Sequence, residues 1–229
     1  MYFLIIIGKD TKREEFKMRV PKHIGIIPDG NRRWALTNGL TKEKGYDRGL
    51  DPGLHVFKLC ERYGIKELTF YGFTVDNTKR PKFQRLAFTR ACIDAVEMLS
   101  RENAELLVMG NYESPMFPKE LFPYIERKKF GSGGVKVNFL VNYDWEWDIE
   151  SYLKMEEKND LIGSIKSKDI SRVDLIIRWG GRRRLSGFLP LQSVYSDFYI
   201  IDEFWPDFTE EQFNKALDWY QIQDITLGG

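Results

Sequence analysis

The fold of this chain is decided by residues 23–35, which read His-Ile-Gly-Ile-Ile-Pro-Asp-Gly-Asn-Arg-Arg-Trp-Ala. A continuous apolar run enters a turn at Asp29 and Gly30, and a short basic helix is predicted directly after it. A buried strand, a glycine turn and a helix in this order are typical of open α/β sheets. Ligands of such sheets bind beyond the carboxyl ends of the strands, where helix N-termini favour phosphate groups.

A second stretch with the same organisation lies far downstream, at residues 174–188, and reads Asp-Leu-Ile-Ile-Arg-Trp-Gly-Gly-Arg-Arg-Arg-Leu-Ser-Gly-Phe. Its predicted strand runs into a Gly-Gly turn, and the arginines at 178 and 182–184 form the densest group of cations in the chain. Arginine makes planar, bidentate contacts with phosphate. The two stretches together predict two phosphate-bearing ligands side by side.

Each stretch also has a plain structural explanation that the residues alone leave open. The first can be an ordinary Asp-Gly turn with solvated arginines, and the polar segment 74–81 can be a capped loop. The arginines at 182–184 can be a solvated charge run.

Composition narrows the classes of protein that fit. The chain has 229 residues, of which 42% are hydrophobic and 30% charged, as in an ordinary globular domain. A formal net charge of +1 gives little long-range electrostatic attraction for nucleic acid, so no nucleic-acid partner is expected. The two cysteines have no metal-type spacing, which indicates a reducing cytosol. Only two histidines are present, which excludes a histidine-rich metal site.

Strand and helix signals alternate along the chain, which predicts an α/β fold. Strands are expected at 23–27, 67–73, 105–109, 135–141 and 175–177, with a further apolar segment at 189–201, and helices at 50–63, 85–102, 119–129, 149–157 and 210–220. We expect a single domain over residues 23–229, with a mostly parallel central sheet of about six strands flanked by helices. Residues 1–22 are treated as an N-terminal extension, whose apolar start of seven residues is too short to span a membrane.

Four motifs in this order resemble the cis-prenyltransferase family, whose best-known members make undecaprenyl diphosphate and dehydrodolichyl diphosphate. The motif His-x-x-x-Ile-x-Asp-Gly-Asn-x-Arg-Trp-Ala matches at 23–35, and Tyr-Ala-Phe-Ser-x-Glu-Asn-Trp-x-Arg-Pro at 71–81. The motif Asp-x-x-Ile-Arg-Thr-x-Gly-Glu-x-Arg-Leu-Ser-Asn-Phe appears with substitutions at 174–188, and Trp-Pro-Asp-Phe matches at 205–208. The chain looks most similar to divergent, archaeal-type members.

The resemblance implies a role for each matched residue. Asp29 would position Mg²⁺ on an allylic diphosphate, and Asn31, Asn77 and Thr74 would assist at the reacting centre. Gly30, Asn31, Arg33, Lys42 and Arg80 would lie around this first diphosphate, and Arg178, Arg184 and Ser186 would hold the second. The further substrate-binding residues implied are Arg32, Trp34, Tyr46 and Arg182. Asp197 falls where the family has a glutamate implicated in the metal site, and the helix predicted at 85–102 would line an apolar tunnel.

The resemblance further implies a homodimer and a cytoplasmic protein that works at a membrane surface. Its second substrate would be isopentenyl diphosphate, dimethylallyl diphosphate or an alcohol.

Departures from the family pattern cluster on the side of the second substrate. Arg182 replaces a glutamate, and Tyr46 replaces the histidine of a Gly-His-x-x-Gly segment. Residues 142–146 read Asn-Tyr-Asp-Trp-Glu where the family has Asn-Tyr-Gly-Gly-Arg. The arginine of a C-terminal Arg-x-Gly element is absent at 226–228. These changes predict a Mg²⁺-dependent prenyltransferase with non-standard acceptor use, either non-head-to-tail or to an alcohol. The alternatives are an ordinary cis-chain-elongating synthase that uses isopentenyl diphosphate and a non-catalytic subunit of a heteromeric enzyme.

Overall fold

The computed structural model describes residues 19–158 and 160–224. The strands are β1 (His23–Ile27), β2 (Glu67–Tyr71), β3 (Ala104–Met109), β4 (Lys128–Lys129), β5 (Val135–Leu140), β6 (Leu175–Arg178) and β7 (Asp197–Ile200). The α-helices are α1 (Asn31–Thr37), α2 (Lys44–Asp47), α3 (Leu50–Tyr63), α4 (Lys82–Leu99), α5 (Trp145–Leu153), α6 (Leu161–Ser164) and α7 (Glu210–Gln221). Short 3-10 helices occupy Val75–Lys79, Lys119–Tyr124 and Trp205–Asp207.

The strands form one sheet in the order β4-β3-β5-β2-β1-β6-β7. Every neighbouring pair is parallel except β3 with β4, which confirms the predicted mostly parallel α/β sheet. The sheet has seven strands rather than about six, because β4 forms where the end of a helix was predicted. Pro123 lies inside the preceding 3-10 helix and has no N–H to donate, so a longer α-helix is disfavoured there.

Both faces of the sheet are buried, which explains the continuous apolar runs in its strands. On β6, Leu175 and Ile177 join the larger core beneath α3, α4 and α7, whereas Ile176 joins a smaller core on the opposite face. Side chains that alternate between two cores fix each strand in register. No helix in the described part of the chain combines the length and apolarity needed to cross a bilayer.

The pairing of β1 with β6 brings the two decisive stretches together. Ile27 is the register partner of Arg178, so both following turns leave the same edge of the sheet. At Gly25 the ring of Phe188 approaches so closely that an added Cβ would lie 2.6 Å from it. The end of the second stretch therefore packs directly on the strand of the first.

Most of the predicted N-terminal extension, residues 1–18, and the C-terminal element at 226–228 lie outside the described residues. The division into an extension and one domain over 23–229 stays a prediction.

Candidate active site

A cleft of about 580 Å³ opens at the carboxyl edge of β1, β2 and β6. It is lined by most of the residues predicted for the site, which are Asp29, Gly30, Asn31, Arg32, Arg33, Lys42, Tyr46, Thr74, Asn77, Arg80, Arg178, Arg182, Arg184 and Ser186. The structure thus gathers residues from three separate motifs around one space.

Asp29 and Arg178 form the ion pair at the centre of this cleft. Arg178 Nη2 lies 2.7 Å from Asp29 Oδ2, and Arg33 Nη2 lies 3.4 Å from Asp29 Oδ1. Burial by itself would raise the pKa of Asp29, but the hydrogen bond and charge of Arg178 and the charge of Arg33 lower it below 3.8. The carboxylate is therefore ionised at neutral pH.

The loop that follows β6, within the stretch 174–188, surrounds the guanidinium of Arg178. Arg178 Nη1 donates to Ser186 Oγ at 3.0 Å and to the backbone carbonyl of Arg184. Ser186 has a φ of 56°, in the left-handed region, and its carbonyl accepts a 2.5 Å hydrogen bond from Tyr71 Oη. Arg178 Nε is buried without a partner in the structure, which leaves one strong donor for a ligand.

The two glycine turns interlock through Arg33. Arg33 Nη2 donates to the carbonyl of Gly180 at 2.9 Å, and an added Cβ on Gly180 would lie 2.6 Å from the same nitrogen. Gly30 has a φ of 104°, and a Cβ there would lie 2.7 Å from the ring of Phe204. With a φ of 84° at Gly180 as well, both positions have a backbone conformation that favours glycine.

The third wall of the cleft comes from the 3-10 helix after β2. Asn77 Oδ1 accepts from the backbone N–H of Thr74 at 3.3 Å, which fixes the side-chain amide at the start of this helix. Arg80 Nη1 donates to Tyr46 Oη at 3.0 Å, and its guanidinium carbon lies 5.3 Å from the centre of the Phe88 ring. Arg80 is thus held at the rim by an aromatic pair from α2 and α4.

An apolar pocket of about 80 Å³ adjoins the cleft on the side of α3 and α4. The helix α4 contributes Phe88, Ala91, Cys92, Ala95, Met98 and Leu99, which fits the apolar lining implied for this helix. A polar, cationic cleft continues here into an apolar space, an arrangement suited to a ligand with a charged head and an apolar tail.

Two predicted residues lie elsewhere. Trp34 is not among the residues that line the cleft, and its Nε1 donates to Asp207 Oδ1 at 2.6 Å. Asp197 begins β7 and pairs with Leu175, whereas Ile200 pairs with Arg178 at the edge that bears the cleft. Asp197 thus lies three strand residues, about 10 Å, from the edge that bears the cleft, and its role at a metal stays a prediction.

Tyr71 and Phe88 are among the cleft residues that were not predicted from the sequence. Tyr71 ends β2 and anchors the carbonyl of Ser186, and its place at the start of the second matched motif was an available signal. Phe88 gave no signal beyond its place on a predicted helix.

The donor set suits a magnesium ion that arrives with its substrate. Among the described residues no group of three or more His, Cys, Asp or Glu side chains could hold a metal ion. Mg²⁺ is commonly bound by one or two carboxylates together with substrate phosphates and water. Asp29, with a side chain 33% exposed beside the cleft, provides one such carboxylate.

Comparison with known proteins gives a consistent result. The family model for undecaprenyl diphosphate synthase, a prenyltransferase model, matches residues 27–228. A ditrans,polycis-undecaprenyl-diphosphate synthase, (2E,6E)-farnesyl-diphosphate specific, from Buchnera aphidicola subsp. Schizaphis graminum is 33% identical in an alignment of 229 positions that covers 91% of each protein. An isoprenyl transferase from Chromobacterium violaceum is 34% identical in an alignment of 226 positions that covers 91% of this chain and 88% of the relative.

A solved structure shares the fold. Lavandulyl diphosphate synthase from Lavandula x intermedia, in complex with dimethylallyl diphosphate, superposes with a TM-score of 0.80. The match covers 91% of this chain and 98% of that one, at 24% identity.

Proposed function

This chain belongs to the undecaprenyl diphosphate synthase family of cis-prenyltransferases, and we propose that it extends an allylic prenyl diphosphate with isopentenyl diphosphate in cis. Relatives named undecaprenyl diphosphate synthase or isoprenyl transferase match over about nine-tenths of their length, for example 91% and 88%. They favour ordinary elongation over the non-standard acceptor use predicted from the sequence departures. The observation that carries the proposal is the cationic cleft, built around Asp29 and Arg178, which continues into an apolar pocket.

The charges of the cleft support two diphosphates. Its lining contains the cations Arg32, Arg33, Lys42, Arg80, Arg178, Arg182 and Arg184, and the carboxylates Asp29 and Asp76. The excess of positive charge stabilises the negative charge that develops on a departing diphosphate, which is the main requirement of this chemistry. In our proposal the donor diphosphate lies toward Arg33, Asn77 and Arg80, and the acceptor diphosphate toward Arg178 and Ser186.

The transfer needs no covalent nucleophile. The allylic C–O bond breaks with its electron pair leaving on the diphosphate, and the double bond of the acceptor attacks the allylic carbon. The carbocation formed on the acceptor then gives a proton to the released diphosphate, which restores a double bond. Mg²⁺ held at Asp29 would supply further neutralisation of the diphosphate. The cysteines do not take part, because both are buried away from the polar cleft and burial raises the pKa of Cys92 to about 12.

The test is product analysis with the purified full-length chain. Isotope-labelled allylic donors are incubated with Mg²⁺ and isopentenyl diphosphate, dimethylallyl diphosphate or a prenyl alcohol, and the products are identified by mass spectrometry. We expect products longer than the donor by whole isoprene units, with cis bonds, only from isopentenyl diphosphate. Asp29→Ala should reduce the rate by about 10²- to 10³-fold, whereas Glu97→Ala, at an exposed carboxylate on α4, should not.

The absence of turnover with every acceptor would contradict the proposal and favour the non-catalytic subunit. The homodimer and the contact with a membrane surface stay predictions.

A second candidate function is supported by Arg182. This side chain lines the cleft at the position where the family has a glutamate, which adds positive charge on the acceptor side. Extra positive charge there would suit a second allylic diphosphate, and the structural neighbour with dimethylallyl diphosphate has the same fold. A branched or head-to-middle product in the acceptor screen would establish this function in place of elongation.

A further inference from the structure

The turn that carries Ser186 has a backbone conformation that serine rarely adopts. The N–H of Phe188 donates to the carbonyl of Leu185 at 3.1 Å, and the two residues between them have positive φ, 56° at Ser186 and 82° at Gly187. Positive φ at both central residues is typical of a type I′ turn, which favours glycine, asparagine and aspartate. Serine is strained in this conformation, so contacts from outside the turn are needed to hold it.

Two aromatic side chains provide such contacts. Tyr71 Oη donates to the carbonyl of Ser186 at 2.5 Å. A Cβ added to Gly187 would lie 3.3 Å from the same hydroxyl and 3.2 Å from Cδ1 of Trp145. Tyr71 and Trp145 therefore both occupy the side of the turn toward which a side chain at position 187 would point.

The conformation of this turn controls part of the cleft. Ser186 Oγ accepts a hydrogen bond from Arg178 Nη1 at 3.0 Å, and both residues line the cleft. A change of φ at Ser186 or Gly187 would move this hydroxyl away from the guanidinium. The turn therefore sets the spacing of the two groups that we assign to the acceptor diphosphate.

This chain differs from the family pattern on both sides of the contact. The family motifs have asparagine at position 187 and glycine at position 145, whereas this chain has Gly187 and Trp145. The larger side chain is thus on the first residue of α5 here and on the turn in the family pattern. Because asparagine also tolerates positive φ, the backbone of the turn accepts either residue. The exchange therefore concerns the space beside the turn, which the indole occupies.

We propose that Trp145 is a positioning residue for the acceptor: its indole takes the place of an asparagine side chain beside the turn and keeps Ser186 and Arg178 in the spacing that binds the acceptor diphosphate. This inference rests on the proposed prenyl transfer. Trp145 touches no substrate in this proposal, because its side chain is 43% exposed and lies outside the lining of the cleft. It acts on the acceptor through the turn, so binding of the donor should not depend on it.

The first test removes the indole. The KM for isopentenyl diphosphate and the KM for the allylic donor are measured in the wild type, in Trp145→Gly and in Leu153→Gly. We expect Trp145→Gly to raise the KM for isopentenyl diphosphate by about five- to tenfold and to leave the KM for the donor unchanged. Loss of folded protein would not produce this difference, because both constants come from one preparation. Leu153→Gly is the matched control, since Leu153 is an exposed apolar residue at the other end of the same helix.

The second test restores the pair of residues that the family has. Gly187→Asn alone should raise the KM for isopentenyl diphosphate, because the amide needs the space that the indole occupies. In Trp145→Gly the same substitution should lower this KM, so that the double variant returns to within about threefold of the wild type. If the effects of the two single variants instead multiply in the double variant, the two positions act independently and the inference is wrong.

Calorimetry separates this inference from the proposed function. Isopentenyl diphosphate is titrated in the presence of Mg²⁺ into protein saturated with an unreactive thiolo analogue of the donor, so no turnover is needed. Weaker binding to Trp145→Gly than to the wild type, recovered in the double variant, supports the inference. Equal binding by all three proteins overturns this inference alone, whereas a wild type that does not bind isopentenyl diphosphate overturns the proposed elongation together with it.

Discussion

At the scale of single residues, the cleft depends most on Arg178. Its side chain is only 5% exposed, and it contacts Asp29, Ser186 and the backbone of Arg184. A buried guanidinium with several fixed acceptors is placed by the fold before any ligand binds. That preorganisation is what makes a cation effective against charge that develops during a reaction.

Replacing Arg178 should change both the rate and its dependence on pH. Arg178 stabilises the ionised form of Asp29, so Arg178→Gln raises the pKa of that carboxyl. We expect kcat/KM to fall by about 10²- to 10³-fold and its acidic limb to move to higher pH. Kinetics from about pH 4.5 to about pH 8 test this. The control is Arg183→Gln, because Arg183 is exposed and does not line the cleft. An acidic limb at the same pH in the variant and the wild type would show that the ionisation of Asp29 does not control kcat/KM.

Arg182 should contribute much less than Arg178. It lines the cleft but is exposed, and contacts between exposed charges are worth about 0.2–1 kcal/mol. Arg182→Gln should therefore raise the KM for the acceptor by about two- to fivefold and leave the KM for the donor unchanged. Steady-state kinetics with each substrate varied in turn check this. A larger effect on the donor would place Arg182 beside the first diphosphate instead.

At the scale of elements, two glycines on neighbouring helices should respond oppositely to the same change. A Cβ on Gly45 of α2 would lie 2.0 Å from the carbonyl oxygen of Asn31, whereas one on Gly53 of α3 meets only Phe70 at 3.9 Å. Gly45→Ala should cost about 1–3 kcal/mol through this clash and displace the start of α1. Gly53→Ala should add about 0.5–1 kcal/mol of helix stability.

Thermal unfolding of both glycine variants measures these effects. We expect the melting temperature to fall by several degrees for Gly45→Ala and to rise slightly for Gly53→Ala. A melting temperature of Gly45→Ala equal to that of the wild type would show that α2 does not need its close contact with α1.

Elements that carry strong local signals were predicted well from the sequence. The apolar run at 23–27, the glycine turns and the helix at 50–63 have local causes, and the structure has β1 and α3 there. The β4 strand and the short β7 depend on pairing with distant strands, which local patterns do not encode. The distance of Asp197 from the cleft edge was also not predictable from local sequence. A motif match gives the position of a residue in the chain, but not the end of the strand at which that residue lies.

At the scale of the whole molecule, a polar network crosses the sheet far from the cleft. His23 Nδ1 donates to the carbonyl of Ser171 at 3.0 Å, and Nε2 accepts from Thr69 Oγ1 at 2.8 Å. Asn138 donates to the same hydroxyl and to Glu67. The network thus joins β1, β2 and β5 across the sheet.

His23 should make stability sensitive to mild acid. Burial lowers its pKa below 6.5 although the carboxylates of Glu67 and Asp174 face it. The unfolded chain therefore binds a proton more readily, and the free energy of unfolding falls as the pH drops below about 6.5, by at most about 1.4 kcal/mol per unit from this group.

Urea unfolding between about pH 7.5 and about pH 5 tests this contribution. His23→Gln, whose amide can both donate and accept, should flatten the dependence. His55→Gln should not, since His55 is exposed. Equal slopes in His23→Gln and the wild type would contradict the assignment.

The pairing of β1 with β6 also has a consequence for synthesis on the ribosome. Asp29 and its partner Arg178 are 149 positions apart, so at about 5–20 residues per second β6 emerges about 7–30 s after the first loop. During that interval one edge of β1, with Ile24, Ile26 and Ile27, has no partner strand. A nascent chain of this protein therefore carries an unpaired apolar strand edge for most of its translation, and such an edge can pair with other chains until β6 covers it.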